Sequence, residues 1–60
     1  MRNEIEAMQV ICNIQAMKEV ITGNKPDYKT FKNYSCEELH LLQNSLIKDY
    51  NYHVKLKSNH

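Results

Sequence analysis

Two thiols and two imidazoles, Cys12, Cys36, His40 and His53, are the side chains in this sequence best suited to chemistry. Cys36 and His40 are four residues apart, so a helix would place both on one face, where they could share a metal ion. A structural zinc site needs about four ligands, yet the sequence has no Cys-x-x-Cys pair to complete the set. We therefore expect a buried thiol and a surface histidine, with no metal and no cofactor.

Nucleophilic catalysis needs a nucleophile, a base and an orienting carboxylate in one arrangement. No serine or cysteine of the sequence has that setting, and the single glycine excludes a glycine-rich phosphate loop. The chain has 60 residues, whereas a domain with a cofactor cleft usually needs about 100–150. We expect no catalytic residues and no enzyme activity.

One short segment is similar to a known family. Leu46-Ile47-Lys48-Asp49-Tyr50 resembles the Leu-Ile-x-(Asp/Glu)-Tyr end of the second helix in sporulation-type aspartyl-phosphate phosphatases, which are helical hairpins of similar length. In that register the family's Ser-x-x-x-Asp signature falls on His40 and Asn44. Both signature residues are absent, so the phosphatase activity is not carried over.

Composition indicates the cellular setting. The net charge is +1, and no apolar run approaches the ~18 residues of a membrane span. The charged start Met-Arg-Asn-Glu-Ile-Glu is unlike a signal peptide, so we expect a cytoplasmic protein with reduced thiols. Lys, Asn, Ile and Tyr, which have AT-rich codons, are abundant and favour a low-GC bacterium or its phage.

The first part of the chain predicts one helix over residues 3–22. This segment lacks Gly and Pro and is followed by Gly23, a residue typical of helix C-caps. At 100° per residue its apolar side chains form two stripes. The first contains Ala7, Val10, Ile11, Ile14, Met17 and Ile21, and the second contains Ile5, Met8, Cys12 and Ala16. One neighbouring helix covers one stripe, so the other needs a second chain.

The connection predicts a structured segment rather than a minimal turn. Residues 24–34 are longer than a short helix–helix link. They space Tyr28, Phe31 and Tyr34 three residues apart, as in a short helical turn whose aromatic rings cover one end of the helices.

Ser35 and Glu38 match a capping box and predict a second helix over residues 36–53. Apolar and polar residues alternate over 50–57, so the tail 54–60 has two options, a loose end or an edge strand, of which we favour the loose end. The core side of this helix is expected to present Leu39, Leu42, Leu46 and Tyr50, and the opposite side Leu41 and Tyr52.

A chain this small needs stabilisation beyond its own core, and self-association supplies it. We therefore expect one all-α domain over residues 1–60: an antiparallel helical hairpin with a short helical turn in the connection, dimerising into a four-helix bundle. Its expected function is stoichiometric regulation or inhibition of a larger protein, as in antirepressors, kinase inhibitors or anti-defence proteins. The candidate contact residues, for self or partner, are Ile5, Met8, Cys12, Ala16, Tyr28, Phe31, Leu41 and Tyr52.

Two alternatives stay open. The lysine-rich aromatic segment 25–34 could contact single-stranded nucleic acid by stacking. The near-neutral charge and the acidic start of the second helix make nucleic acid the weaker choice. In the other alternative, the chain is a purely structural module whose only partner is itself.

Overall fold

The computed structural model describes residues 2–58 and shows a helical chain. Helix α1 spans Glu4–Thr22, a 3-10 turn spans Tyr28–Phe31, and helix α2 spans Cys36–Ser58. No strand occurs within residues 2–58. The all-α class and the helical turn in the connection are confirmed.

Helix α1 has a defined cap at each end. At its start, the Asn3 side chain accepts a hydrogen bond from the Glu6 N–H at 3.1 Å. At its end, Gly23 adopts φ 81°, and its N–H donates to the Glu19 carbonyl at 2.9 Å. A left-handed residue at this position favours glycine, because other side chains crowd the backbone there. The predicted stop signal is confirmed.

Helix α2 begins at the predicted capping box. The Glu38 N–H donates to the Ser35 hydroxyl at 3.1 Å, and the Ser35 N–H donates to the Glu38 carboxylate at 3.1 Å. These reciprocal bonds satisfy two backbone donors that a helix start leaves without partners. The predicted start of the second helix is confirmed.

Helix α2 continues to Ser58, so its predicted end at residue 53 is wrong. The loose tail and the edge strand are wrong over the described residues, while 59–60 lie outside them. No Gly or Pro interrupts this segment, and Lys55 and Lys57 suit the negative end of the helix dipole. These features outweigh the alternating pattern.

The two helices run parallel, so the predicted antiparallel direction is wrong. The Cys36 thiol donates to the Asn3 carbonyl at 3.5 Å, which brings the two helix starts together. About one turn further along both helices, His40 Nε2 lies 3.7 Å from Glu6 Oε2. Residue numbers rise together along the pair, as only parallel helices allow.

The connection makes this direction possible by running back along α1. Gln15 Nε2 donates to the Pro26 carbonyl at 3.0 Å, midway along α1. Near the start of α1, the Arg2 guanidinium donates to the carbonyls of Phe31 at 2.9 Å and Tyr34 at 2.6 Å. A 19-residue helix is about 28 Å long, and about nine extended residues can span that distance. The segment between the helices is therefore long enough to return from the end of α1 to its start.

The core lies where α1, the connection and α2 meet. It combines one face of α1 with a single aromatic ring from the connection and one buried leucine of α2. Half-buried side chains extend it, including Leu42 and Leu46 as predicted. The buried core residues are Ala7, Val10, Ile11, Ile14, Met17, Phe31 and Leu39. The predicted core residues Ile21 and Tyr50 are half-buried.

Candidate interaction surface

The second apolar stripe of α1 is exposed, on the side away from the core. Ile5 is 73% exposed and Met8 is 52% exposed. Cys12 and Ala16 are exposed too. Spacings of three and four residues place these side chains on one line along the helix. The structure therefore brings four of the predicted contact residues together, and we call them the α1 stripe.

Helix α2 carries a second exposed apolar surface. Leu41 is 65% exposed and Tyr52 is 62% exposed, as predicted for the side away from the core. Leu56, at 50% exposure, lies one turn beyond Tyr52 on the same side. Sequence reasoning missed Leu56 because it assigned this residue to the tail. We call these three residues the α2 outer surface.

A shallow groove of about 340 Å³ lies between the two helices. Asn13 Nδ2 donates to Gln43 Oε1 at 3.2 Å across it. Sequence analysis did not predict this groove because its position depends on the parallel direction of α2. It is lined by Asn13, Ala16, Met17, Gln43, Ile47 and Tyr50.

Two predicted contact residues belong to the fold instead. Phe31 is 2% exposed and lies in the core, so its prediction as an exposed anchor is wrong. Its ring packs edge-on against Tyr34 with centroids 5.7 Å apart. Tyr28 is half-buried and packs against the core. The 3-10 turn repeats every three residues, which directs both aromatic side chains inward and removes them from the predicted exposed set.

The thiol and the imidazole that could have done chemistry have structural surroundings. Burial raises the pKa of the Cys36 thiol, and a hydrogen bond with Glu6 raises it further. The thiol therefore stays protonated and donates to the Asn3 carbonyl. His40 faces Glu6 across the helix pair. Within residues 2–58, no three His, Cys, Asp or Glu side chains are grouped so as to hold a metal ion.

Arg2 joins the start of the chain to the connection. Its Nε donates to the Glu4 carboxylate at 2.8 Å, and this bond raises the pKa of the guanidinium. The same group binds two carbonyls of the connection, which holds the connection at the start of α1. Sequence analysis missed this role, because one arginine near a chain end gives no periodic signal.

The described helices include none that is long and apolar enough to cross a membrane. No protein-family model matches the chain, and neither a curated protein nor a solved structure is detectably similar to it.

Proposed function

We propose that this protein is a non-enzymatic interaction module that binds a larger protein stoichiometrically and regulates or inhibits it. The observation that carries the proposal is the large apolar area left exposed on the outer sides of both helices. Ile5, Met8, Leu41 and Tyr52 are each more than half exposed. Full burial of an exposed aliphatic side chain contributes about 1.5–3 kcal/mol, so covering the exposed part of Ile5, Met8 or Leu41 contributes about 1–2 kcal/mol.

The arrangement of these side chains supports binding better than their number does. Single exposed apolar residues are ordinary on protein surfaces. Here they follow two lines on different helices, the α1 stripe and the α2 outer surface. Two separate apolar surfaces suit one self-contact and one partner contact. We therefore propose that the chain dimerises through α1 and presents α2 to its target.

The non-enzymatic part of the proposal is supported by what the reactive groups do. Cys36 serves as a hydrogen-bond donor to the Asn3 carbonyl, and His40 lies beside Glu6. Both groups contribute to the contact between the helix starts. We place the protein in the cytoplasm of a low-GC bacterium or its phage, a setting supported by its amino-acid composition.

The test is capture of the target from the cognate cell with a tag after the last residue, away from Arg2. We expect the wild-type chain and the control Asn24→Glu, a change at an exposed polar site of the connection, to retain the same protein. Leu41→Glu and Tyr52→Glu should lose it while keeping the wild-type helical circular dichroism. Calorimetric titration of the purified target should then give one target per chain or per dimer.

Equal capture by all four proteins would show that the α2 outer surface is not the contact. Absence of any stoichiometric partner would contradict the regulator and favour the self-assembly module. A nucleic-acid function receives less support from the structure, since the Phe31 ring is buried and cannot stack on a base.

A further inference from the structure

We infer that a second copy of this chain covers the α1 stripe, with the two α1 helices antiparallel about a two-fold axis. The inference rests on the proposed function, because it specifies the self-contact of that proposal.

The order of side-chain sizes along the α1 stripe favours antiparallel pairing. The large side chains, Ile5 and Met8, come first, and the small ones, Cys12 and Ala16, come last. In an antiparallel pair, Ile5 faces the second copy's Ala16, and Met8 faces its Cys12. The midpoint of each pair falls near residue 10 of the helix. A two-fold axis at that point therefore forms both contacts at once, and its symmetry repeats each contact once more.

A parallel pair of α1 helices would pack poorly. It would set Ile5 against its own copy at one end and Ala16 against its own copy at the other. The helices would be held apart at the start and would leave a gap at the end, and both defects cost packing energy. Matching large with small side chains allows even contact along the whole stripe.

The charges beside the α1 stripe favour the same direction. At 100° per residue Glu19 is beside the far end of the α1 stripe, and it is exposed. Parallel pairing would bring the two copies of Glu19 together, and like charges at short distance repel. Antiparallel pairing instead places them at opposite ends of the interface.

The exposed area matches what a dimer needs. The chain exposes 4677 Å², whereas a folded monomer of 7.1 kDa is expected to expose about 4100 Å². Covering about 600 Å² on each copy would remove this excess and would bury about 1200 Å² in a dimer, the lower end of stable interfaces. The thin shape, 45 × 18 × 14 Å, is consistent with a layer that a second layer covers.

Disulfide trapping tests the direction directly. Two variants, Ile5→Cys and Ala16→Cys, are prepared with Cys12→Ser and Cys36→Ser so that each has a single thiol. We expect a disulfide-linked dimer when the two variants are mixed and oxidised, and little when either is oxidised alone. Dimers of Ile5→Cys with itself would overturn the antiparallel direction.

Sedimentation of the wild-type chain tests the self-contact without any variant. We expect a mass twice 7.1 kDa at high concentration. Met8→Glu should weaken the dimer about ten- to hundredfold, whereas the control Asn44→Glu, a change at an exposed polar site of α2, should leave it unchanged. A wild-type monomer at every concentration would overturn the inference, and if that monomer still captures its target, the proposed regulator stands. If the chain dimerises but captures no target, the inferred self-contact stands and the proposed regulator is contradicted.

Discussion

The Cys36 thiol lies 3.5 Å from the Asn3 carbonyl, so the first turn of α2 contacts the first turn of α1. This relationship fixes the parallel direction of the helices.

The parallel direction predicts a specific intramolecular crosslink. In a chain with Cys12→Ser and Cys36→Ser, a short bifunctional thiol reagent should join the pair Glu6→Cys and His40→Cys within one molecule, since Glu6 Oε2 and His40 Nε2, at the ends of the two native side chains, lie 3.7 Å apart. Mass spectrometry of the crosslinked monomer would detect the bridge. The matched control is Glu6→Cys with Tyr52→Cys, which an antiparallel hairpin would bring together. If only the control pair closes, the parallel arrangement is wrong.

Loss of the α2 cap should destabilise the chain. Ser35→Ala removes the hydroxyl that accepts the Glu38 N–H and should lower the free energy of unfolding by ~1 kcal/mol. For a domain this small, Tm should fall by about 4–8 °C. Ser45→Ala makes the same chemical change at an exposed site inside α2, where alanine favours the helix, so Tm should rise slightly. If Ser35→Ala and Ser45→Ala change Tm in the same direction and by the same amount, Ser35 does not cap α2.

Removal of the Phe31 ring should unfold the chain. The ring is 2% exposed within the core, and truncation of a buried phenylalanine costs about 3–5 kcal/mol, which equals the whole stability expected of a small core. Circular dichroism of Phe31→Ala should show loss of helix. Tyr52→Ala truncates an exposed ring and should stay within about 0.5 kcal/mol of the wild type. A folded Phe31→Ala protein would contradict the core assignment.

The two thiols should differ in their reaction with iodoacetamide. In dilute protein, Cys36 should react slowly because burial and Glu6 raise its pKa, which lowers its thiolate fraction. The alkylation rate of Cys36 should rise at a higher pH than the rate of an ordinary thiol does. Glu6→Gln should shift that profile partway back, since it removes the smaller cause and leaves burial. Exposed Cys12 should react faster, and at higher protein concentration it should slow as the proposed dimer forms. Peptide mass spectrometry separates the two sites.

The same pKa shift gives a direction to the pH dependence of stability. The folded chain holds the Cys36 proton more tightly than the unfolded chain does. The stabilisation that this proton gives the folded chain is therefore fully present at neutral pH, and it is lost as the pH rises through the folded-state pKa of Cys36. Cys36→Ser should show a smaller loss of stability between neutral and alkaline pH, measured by denaturant melts. An identical loss in both proteins would assign the effect to other groups.

Local features of the fold could be predicted from the sequence. Gly23 ended α1 and the Ser35–Glu38 capping box began α2, because both signals act within a few residues. The alternating residues 50–57 misled the prediction of the tail, although an uninterrupted helix was equally compatible with them. Here the absence of a helix breaker was the better signal.

Direction and exposure depended on contacts distant in sequence. No local pattern shows that Phe31 is buried, because its burial needs α1, the connection and α2 together. The length of the connection was the available signal for parallel helices, since a simple turn needs fewer residues. Exposure of Ile5, Met8, Leu41 and Tyr52 agreed with expectation, because helical spacing alone placed them away from the core.

The path of the connection also affects how the chain folds. The contact between Asn3 and Cys36 joins residues 33 positions apart. Closing a loop of that length costs about 1.7 kcal/mol more entropy than closing a five-residue turn. This entropy must be lost before the contacts between the helices form, which slows the search for the native state. On a ribosome, α1 would have to wait for the first half of α2, which carries Leu39, Leu42 and Leu46, before its buried face found cover.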